Sequence, residues 1–416
     1  MKKACPAKKR YALDNSALFY PIMATKRAQS LFRITVTLCD EVQGAVLEEG
    51  LNKALDRFPT FKTRLKKGYA WHFLEENANR AKVFEGKMTL LKPIDPKDTN
   101  EYLFRFVYEG KELYLEVFHG LCDGLGAVAF FKGVLQKYRQ LQGVDFEDSA
   151  NLVDFDAEAT EDEIEDAFKH YYEPIKFNEV NLKELTGSTP QLIVGTISKN
   201  GYGDSVYSAI YSEVNEKAKE LGVSFTALTA GLVAMSVESM DYGPKPTVIM
   251  VPVNLRTVFP SNNLRNFVTF VRLSFKKGEC QTLEDYALSS SMQLKSKTDK
   301  KSLNAMLATT VRTEKTWLLR VAPLWLKVAV AKSVRRMLKS RQTIIVSNIG
   351  KFDTPKEFGV EKATLNINVS KNAKVNLGIV SAGGKVTFTF TRSIVEDTLP
   401  QRFVNNLKAI GVSVEN

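Results

Sequence analysis

The sequence predicts a mixed α/β protein, α+β in detail, built as two lobes. Three observations carry this. The chain's 416 residues exceed what one ordinary core organises. Strand-like and helix-like periodicities interleave through both halves. A carboxylate-rich stretch without Lys or Arg, DFEDSANLVDFDAEATEDEIED (145–166), stands between them. We place an N-terminal lobe at 1–175, with an acidic crossover at about 145–175, and a C-terminal lobe at 176–416. The crossover is expected to be partly helical with a solvated acidic face.

In the first lobe LFRITVTL (31–38) alternates and is rich in β-branched residues, so it predicts a strand. VLEEGLNKALDRF (46–58) spaces its Leu residues as a helix does. GYAWHFLE, EYLFRFVYEG and KELYLEVF predict strands, the last two joined in a hairpin at Glu109 and Gly110. GAVAFFKGVLQKYRQLQ (126–142) is helical in period and stops near Gly143. In the second lobe SVYSAIYSE predicts a strand, and Ser224 caps the helix FTALTAGLVAMSVESM. PTVIMVPVNLR and FVTFVRLSF predict strands, followed by two helical stretches over about 281–340. QTIIVSNIG, ATLNINV, KVNLGIVSA and KVTFTFTRS predict strands, with a tight turn at AGGK, and TLPQRFVNNLKAI predicts a closing helix.

Composition limits the function. A hydrophobic fraction of 44%, with 25 Phe and 14 Tyr, is enough for two cores and argues against disorder. No apolar run reaches the about 18 residues that span a bilayer, and the basic start MKKACPAKKRYALDN has no signal-type apolar stretch. Cys5, Cys39, Cys122 and Cys280 form no CxxC, so neither a disulfide framework nor a zinc site is implied. A reducing cytoplasm is the expected compartment. The formal charge of +11 suits a polyanionic or phosphorylated partner. Nucleic acid is not expected, since no aromatic-basic RNA motif or helix-turn-helix signal accompanies the charge. Dinucleotide, P-loop, GxSxG and HExxH signatures are absent, and no metal site is expected.

Chemistry concentrates in FHGLCDGLGA (118–127), between a strand and a helix. His119 is one of three histidines, and a neutral imidazole held at a strand end can take a proton from an attacking hydroxyl, amine or thiol. Gly120 and Gly124 permit a tight loop and a close substrate. Asp123 is expected to turn inward to a distant arginine and hold the loop. His72 and His170 are expected to be structural or surface residues.

The HxxxDG pattern from His119 to Gly124 resembles the signature of the coenzyme A-dependent acyltransferase superfamily. This superfamily includes chloramphenicol acetyltransferase, peptide-synthetase condensation domains and alcohol acetyltransferases. VNLR followed by RNFVTF, and the strand end SNIG, extend the likeness over about Leu13 to Val414. The resemblance implies two chloramphenicol-acetyltransferase-like lobes around a tunnel. It implies His119 as general base, Asp123 as a structural residue paired with Arg256, and Ser347 as an oxyanion donor. Gly124 would leave room for substrate, and Asn348 would order the strand end. Many members carry HHxxxDG; here Phe118 takes the first position, and the plant-type DFGWG is absent.

The implied activity is transfer of an acyl group, expected to be acetyl, from coenzyme A to a small alcohol or amine by a monomer. Acyl-CoA is a co-substrate, and no bound cofactor is expected. The alternative is a non-catalytic condensation-like binding or scaffold protein with a degenerate site. Finally, TWLLRVAPLWLKVAVAKSVRRMLKSRQ (316–342) is a basic amphipathic helix with tryptophans. It is expected to pack its apolar face on the sheet, with Pro323 starting or kinking it; a membrane interface is the other reading.

Overall fold

The computed structural model describes residues 8–25, 29–146, 152–174, 188–337, 341–370 and 373–415. Cys5, the basic start, and parts of the acidic crossover and of the 316–342 segment lie outside them. The strands are β1 (Arg10–Ala12), β2 (Leu31–Leu38), β3 (Thr63–Lys67), β4 (His72–Glu76), β5 (Val83–Glu85), β6 (Phe104–Glu109), β7 (Glu112–Phe118), β8 (Gly203–Ile210), β9 (Thr247–Asn254), β10 (Val268–Phe275), β11 (Ile344–Lys351), β12 (Val360–Ile367), β13 (Val375–Ala382), β14 (Lys385–Arg392) and β15 (Val414–Glu415). The helices are α1 (Phe19–Met23), α2 (Gly44–Ala54), α3 (Gly124–Leu141), α4 (Glu161–Ile164), α5 (Ala167–His170), α6 (Tyr211–Glu220), α7 (Phe225–Glu238), α8 (Leu283–Lys297), α9 (Lys300–Lys315), α10 (Trp317–Val321), α11 (Leu324–Met337) and α12 (Thr398–Ala409). The mixed α/β class follows directly.

Among the described residues the strands form three sheets, ordered β1-β4-β3, β12-β2-β7-β6-β5 and β10-β9-β11-β13-β14-β8-β15. The first-half sheet buries β2 and β7 at its centre and packs α3 across one face. The helical repeat of α3 turns Ala127, Phe130, Phe131, Val134 and Tyr138 inward, against Phe58, Phe61, Phe104 and Phe106. The second core gathers α7, α12 and the long sheet around Phe388, Phe390 and Phe403. Its tight turn at Gly383 and Gly384 holds φ of 57° and 79°, which side-chain-bearing residues resist.

Several expectations are corrected by long-range pairing. The division at 175 does not separate the sheets: β12, from the second half, pairs antiparallel with β2 over Val360–Ile367. It brings Phe352, Phe358, Leu365 and Val380 into the first core. The acidic crossover is not merely solvated. Its Glu163 pairs with Arg57 at 2.6 Å, while Asp162 accepts from Ser261 Oγ and Asn262 N, both at 2.7 Å. The crossover thereby ties the two halves together. The strand expected at 205–213 ends at Ile210, where the chain enters α6. Among the described residues the two helical stretches of 281–340 are four helices, broken at the Asp299 cap, at Thr316 and at Pro323. α11 lies against α1, burying Leu324 and Lys327 and leaving Trp317, Trp325 and Val330 exposed. No single helix among the described residues is long and apolar enough to cross a membrane.

A charge cluster crosses the first-half sheet. Glu116 on β7 is fully buried between Arg33 on β2 and Arg105 on β6, the residues in register with it. Arg33 Nε donates to Glu116 Oε1 at 2.9 Å and Arg105 Nε to Oε2 at 2.5 Å. The same guanidinium groups hold the Met88 and Lys92 carbonyls. Glu116→Gln strands two buried cations and should cost about 3–5 kcal/mol in urea unfolding. A loss below about 1 kcal/mol would show that the triad contributes little net stability.

Candidate active site

The strand β7 ends at Phe118, and the next main-chain N–H, that of His119, donates to Ser30 O at 2.8 Å. This places the imidazole at the end of a central strand. Tyr20 stacks on it with ring centroids 4.7 Å apart, and Phe32 meets it edge-on at 5.2 Å. Four residues on, Asp123 caps α3, its Oδ1 accepting from Gly126 N at 3.0 Å. Its other oxygen turns away from the histidine. Oδ2 accepts from Arg256 Nη1 at 2.7 Å and from Phe267 N at 2.9 Å. Arg256 also donates to the Asn263 and Arg265 carbonyls. One buried carboxylate thus joins the loop, the turn after β9 and the start of β10.

The orientation of His119 follows from donor and acceptor counting. Asp14, 1% exposed, accepts from Ala17 N and, through Oδ2, from Asn266 Nδ2 at 3.1 Å. Because a carboxylate only accepts, the Asn266 amide must turn its NH₂ to Asp14 and its carbonyl oxygen the other way. That oxygen lies 3.1 Å from His119 Nδ1 and can only accept, so Nδ1 carries the proton. Nε2 is left as the basic nitrogen. Burial pushes the imidazole pKa below the ordinary histidine range; its own main chain, Asp123 and Asn266 oppose this in part. The ring is therefore neutral at pH 7. Cys122 beside it is buried, and burial pushes its thiol pKa well up, so it is a packing residue and not a nucleophile.

His119, Asp123, Gly124, Ser347 and Asn348 line one cavity of about 480 Å³. Its walls come from both halves of the chain and are mostly apolar, including Phe32, Leu125, Pro252, Val268 and Ile349. The long sheet opens here for a physical reason. β11 runs parallel to β9 only at Ile344 and Ile345. Val248 exchanges hydrogen bonds with Thr343, just before β11, and alternate residues of a strand face the same neighbour. Pro252 must therefore face β11 as well, and it has no N–H to offer. Past Ile345 the strands part, and Asn254 on one side and Ser347 on the other border the gap. A Cβ on Gly124 would come within 2.6 Å of Ile349 Cγ2, across the same cavity. Asn348 accepts from Gly350 N at 2.9 Å, shaping the strand end. Arg256 stands behind Asp123 and does not line the cavity.

A second cavity of about 440 Å³ shares Phe270 with the first. Arg272, Lys297, Lys301 and Arg341 stand on its wall, and no carboxylate does. Among the described residues no cluster of His, Cys, Asp and Glu could hold a metal. His72 is largely buried, with its pKa lowered by desolvation to about 4, and His170 lies 2.9 Å from Glu165 at the surface. Phe118 is buried in the first core and lines neither cavity, so the residue in place of a first histidine is a packing residue. Sequence reasoning missed Asp14, Tyr20 and Asn266. The signal for Asn266 lay in RNFVTF, quoted for its likeness but not read as part of the site.

No family model and no curated protein sequence matches the chain. Solved structures share its fold. A Fusarium sporotrichioides protein complexed with coenzyme A and T-2 aligns with a TM-score of 0.65 at 13% identity, covering 98% of this chain and 99% of that one. A trichothecene 15-O-acetyltransferase from the same fungus gives 0.64 at 10%, covering 97% and 95%. The epimerization domain from the third module of tyrocidine synthetase B gives 0.64 at 11%, covering 97% and 96%. The chain thus shares the fold of these three structures.

The buried Asp123–Arg256 pair makes a direct prediction. Asp123→Asn and Arg256→Ala should each cost about 3–5 kcal/mol, because each strands a buried partner. In a double-mutant cycle on unfolding free energy the losses should be strongly non-additive; additive losses would mean the pair is not coupled.

Proposed function

We propose that the protein is an acyltransferase that moves an acyl group from coenzyme A to an alcohol or amine, with His119 as general base. The observation that carries this is the neutral His119, its Nδ1–H committed to Asn266, in an apolar cavity next to a cationic one. A base of this kind needs a free Nε2, a fixed ring and low local dielectric; the Nδ1 contact with Asn266, the stacked Tyr20 and the apolar wall support this reading. The solved structures of like fold, one a trichothecene 15-O-acetyltransferase and another complexed with coenzyme A, support the same class.

In this reading Nε2 takes the proton from the acceptor O–H or N–H as that atom attacks the thioester carbon. The tetrahedral intermediate carries its negative charge on the former carbonyl oxygen. The hydroxyl of Ser347 donates to that oxygen, and preorganised donors of this kind matter most where water is excluded. Collapse breaks the C–S bond, and the imidazolium returns its proton to the departing thiolate. Asp123 takes no proton; both of its oxygens are occupied by main-chain and guanidinium donors. The phosphates of coenzyme A would lie against Arg272, Lys297, Lys301 and Arg341, whose positive field favours their approach.

Purified protein with acetyl-CoA and a panel of alcohols and amines should release free thiol. His119→Ala should fold normally and lower turnover by roughly 10² to 10⁴, the worth of a positioned base. Thiol release that did not need His119 would remove it from the mechanism, and no release with any acceptor would favour the binding-protein reading. The base works only when neutral, so kcat/KM should fall with acid, and the lowered pKa puts that midpoint below the ordinary 6.5. Asn266→Ala should move the acid limb and reduce kcat more than it raises KM, since it acts on ring orientation.

A further inference from the structure

We propose that the outer face of α10 and α11 is a docking surface for an anionic lipid bilayer. The two short helices are held by one side only. Leu324 N donates to Tyr69 O at 2.8 Å. Lys327 Nζ donates to Ala70 O at 2.6 Å and lies 3.6 Å from the centroid of the Trp71 ring. Both helices also carry large apolar groups in water. Trp317 and Trp325 are each 71% exposed, Val330 54% and Val321 47%. Trp317 and Val321 are one helical turn apart, as are Leu326 and Val330, so each pair shares a face. Tyr69, 76% exposed on the turn that holds α11, extends the surface. A soluble monomer gains nothing from two solvated tryptophans.

Charge identifies the occupant. From Lys315 to Arg341 the sequence carries eight Lys and Arg residues and no Asp or Glu; Lys315 lies over Tyr172, Lys327 faces inward and Arg341 lines the second cavity. Arg320 is exposed between Trp317 and Val321. Tryptophan settles at the depth of lipid headgroups, and clustered cations are drawn to anionic headgroups around it. A stable protein interface would instead deplete lysine at its centre. The surface is also close to the site. α11 lies against α1, whose Tyr20 stacks on His119, and Gln342 beyond α11 lines the same cavity. The proposal does not require the acyltransferase reading, and its test does not use activity.

The full chain is mixed with vesicles of phosphatidylcholine alone, or with roughly one-third phosphatidylserine, near physiological salt. Cosedimentation with the anionic vesicles only, weakening as salt rises, is expected. Tryptophan emission should shift to the blue on binding, because two of the three tryptophans lie on the proposed face. The double variant Trp325→Ser, Val330→Ser should lose about tenfold or more in partitioning with its melting temperature unchanged. Trp317→Ser alone gives a second variant should that pair disturb folding. Protein that stays in the supernatant with both vesicles overturns the proposal, as does equal binding by the wild type and the variants. Concentration-dependent dimerisation in light scattering, lost in the variants, would assign the face to a second copy and overturn it too.

Discussion

Asp123 accepts three hydrogen bonds from three separate parts of the chain, and the rest of the site depends on that junction. Gly126 N belongs to its own helix, Arg256 to the turn after β9, and Phe267 N to the entry of β10. With 1% of its surface exposed, the carboxylate cannot exchange these donors for water, so all three segments must hold their positions together. Asn266 sits one residue before Phe267. Fixing Phe267 N therefore also fixes the amide that orients the histidine. The loop carrying His119 and the strand facing it are registered through a single buried charge.

A second constraint is the absence of pairing between β9 and β11 beyond Ile345. A sheet that closed fully would leave no room for a ligand. The opening begins where Pro252 presents a ring instead of an N–H, and the parted strands are lined by small polar and apolar side chains. Most of the wall is apolar, so the local dielectric is low, and the few polar groups there count for more than they would in water. The same burial favours the neutral form of His119, against the opposing pull of Asp123.

Much of this was legible in the sequence because the signals are local. The alternation of LFRITVTL, the helical period of 126–142, and a histidine, an aspartate and three glycines in ten residues all report on neighbours along the chain. What was missed depends on contacts between distant residues. β12 reads as an ordinary strand, and nothing in its period says that it completes the sheet of the other half. Asp14 and Asn266 are 252 residues apart, and neither has a meaning until the fold brings them together. The α11 segment was misread for a related reason. Amphipathicity shows that one face is apolar but not which face meets the protein, and here Lys327, with its stem buried and its ammonium over Trp71, takes the inward place.

The central claim is that the protein holds His119 as a neutral imidazole protonated on Nδ1, leaving Nε2 to act. Nitrogen-15 NMR on histidine-labelled protein reads this directly, and with three histidines the assignment needs only His72 and His170 variants. The account predicts that at pH 7 the His119 signal is that of the neutral Nδ1–H tautomer, and that it titrates below 6.5. Asn266→Ala should relax it toward a mixture of tautomers. An imidazolium at pH 7, or a neutral ring protonated on Nε2, would contradict the account.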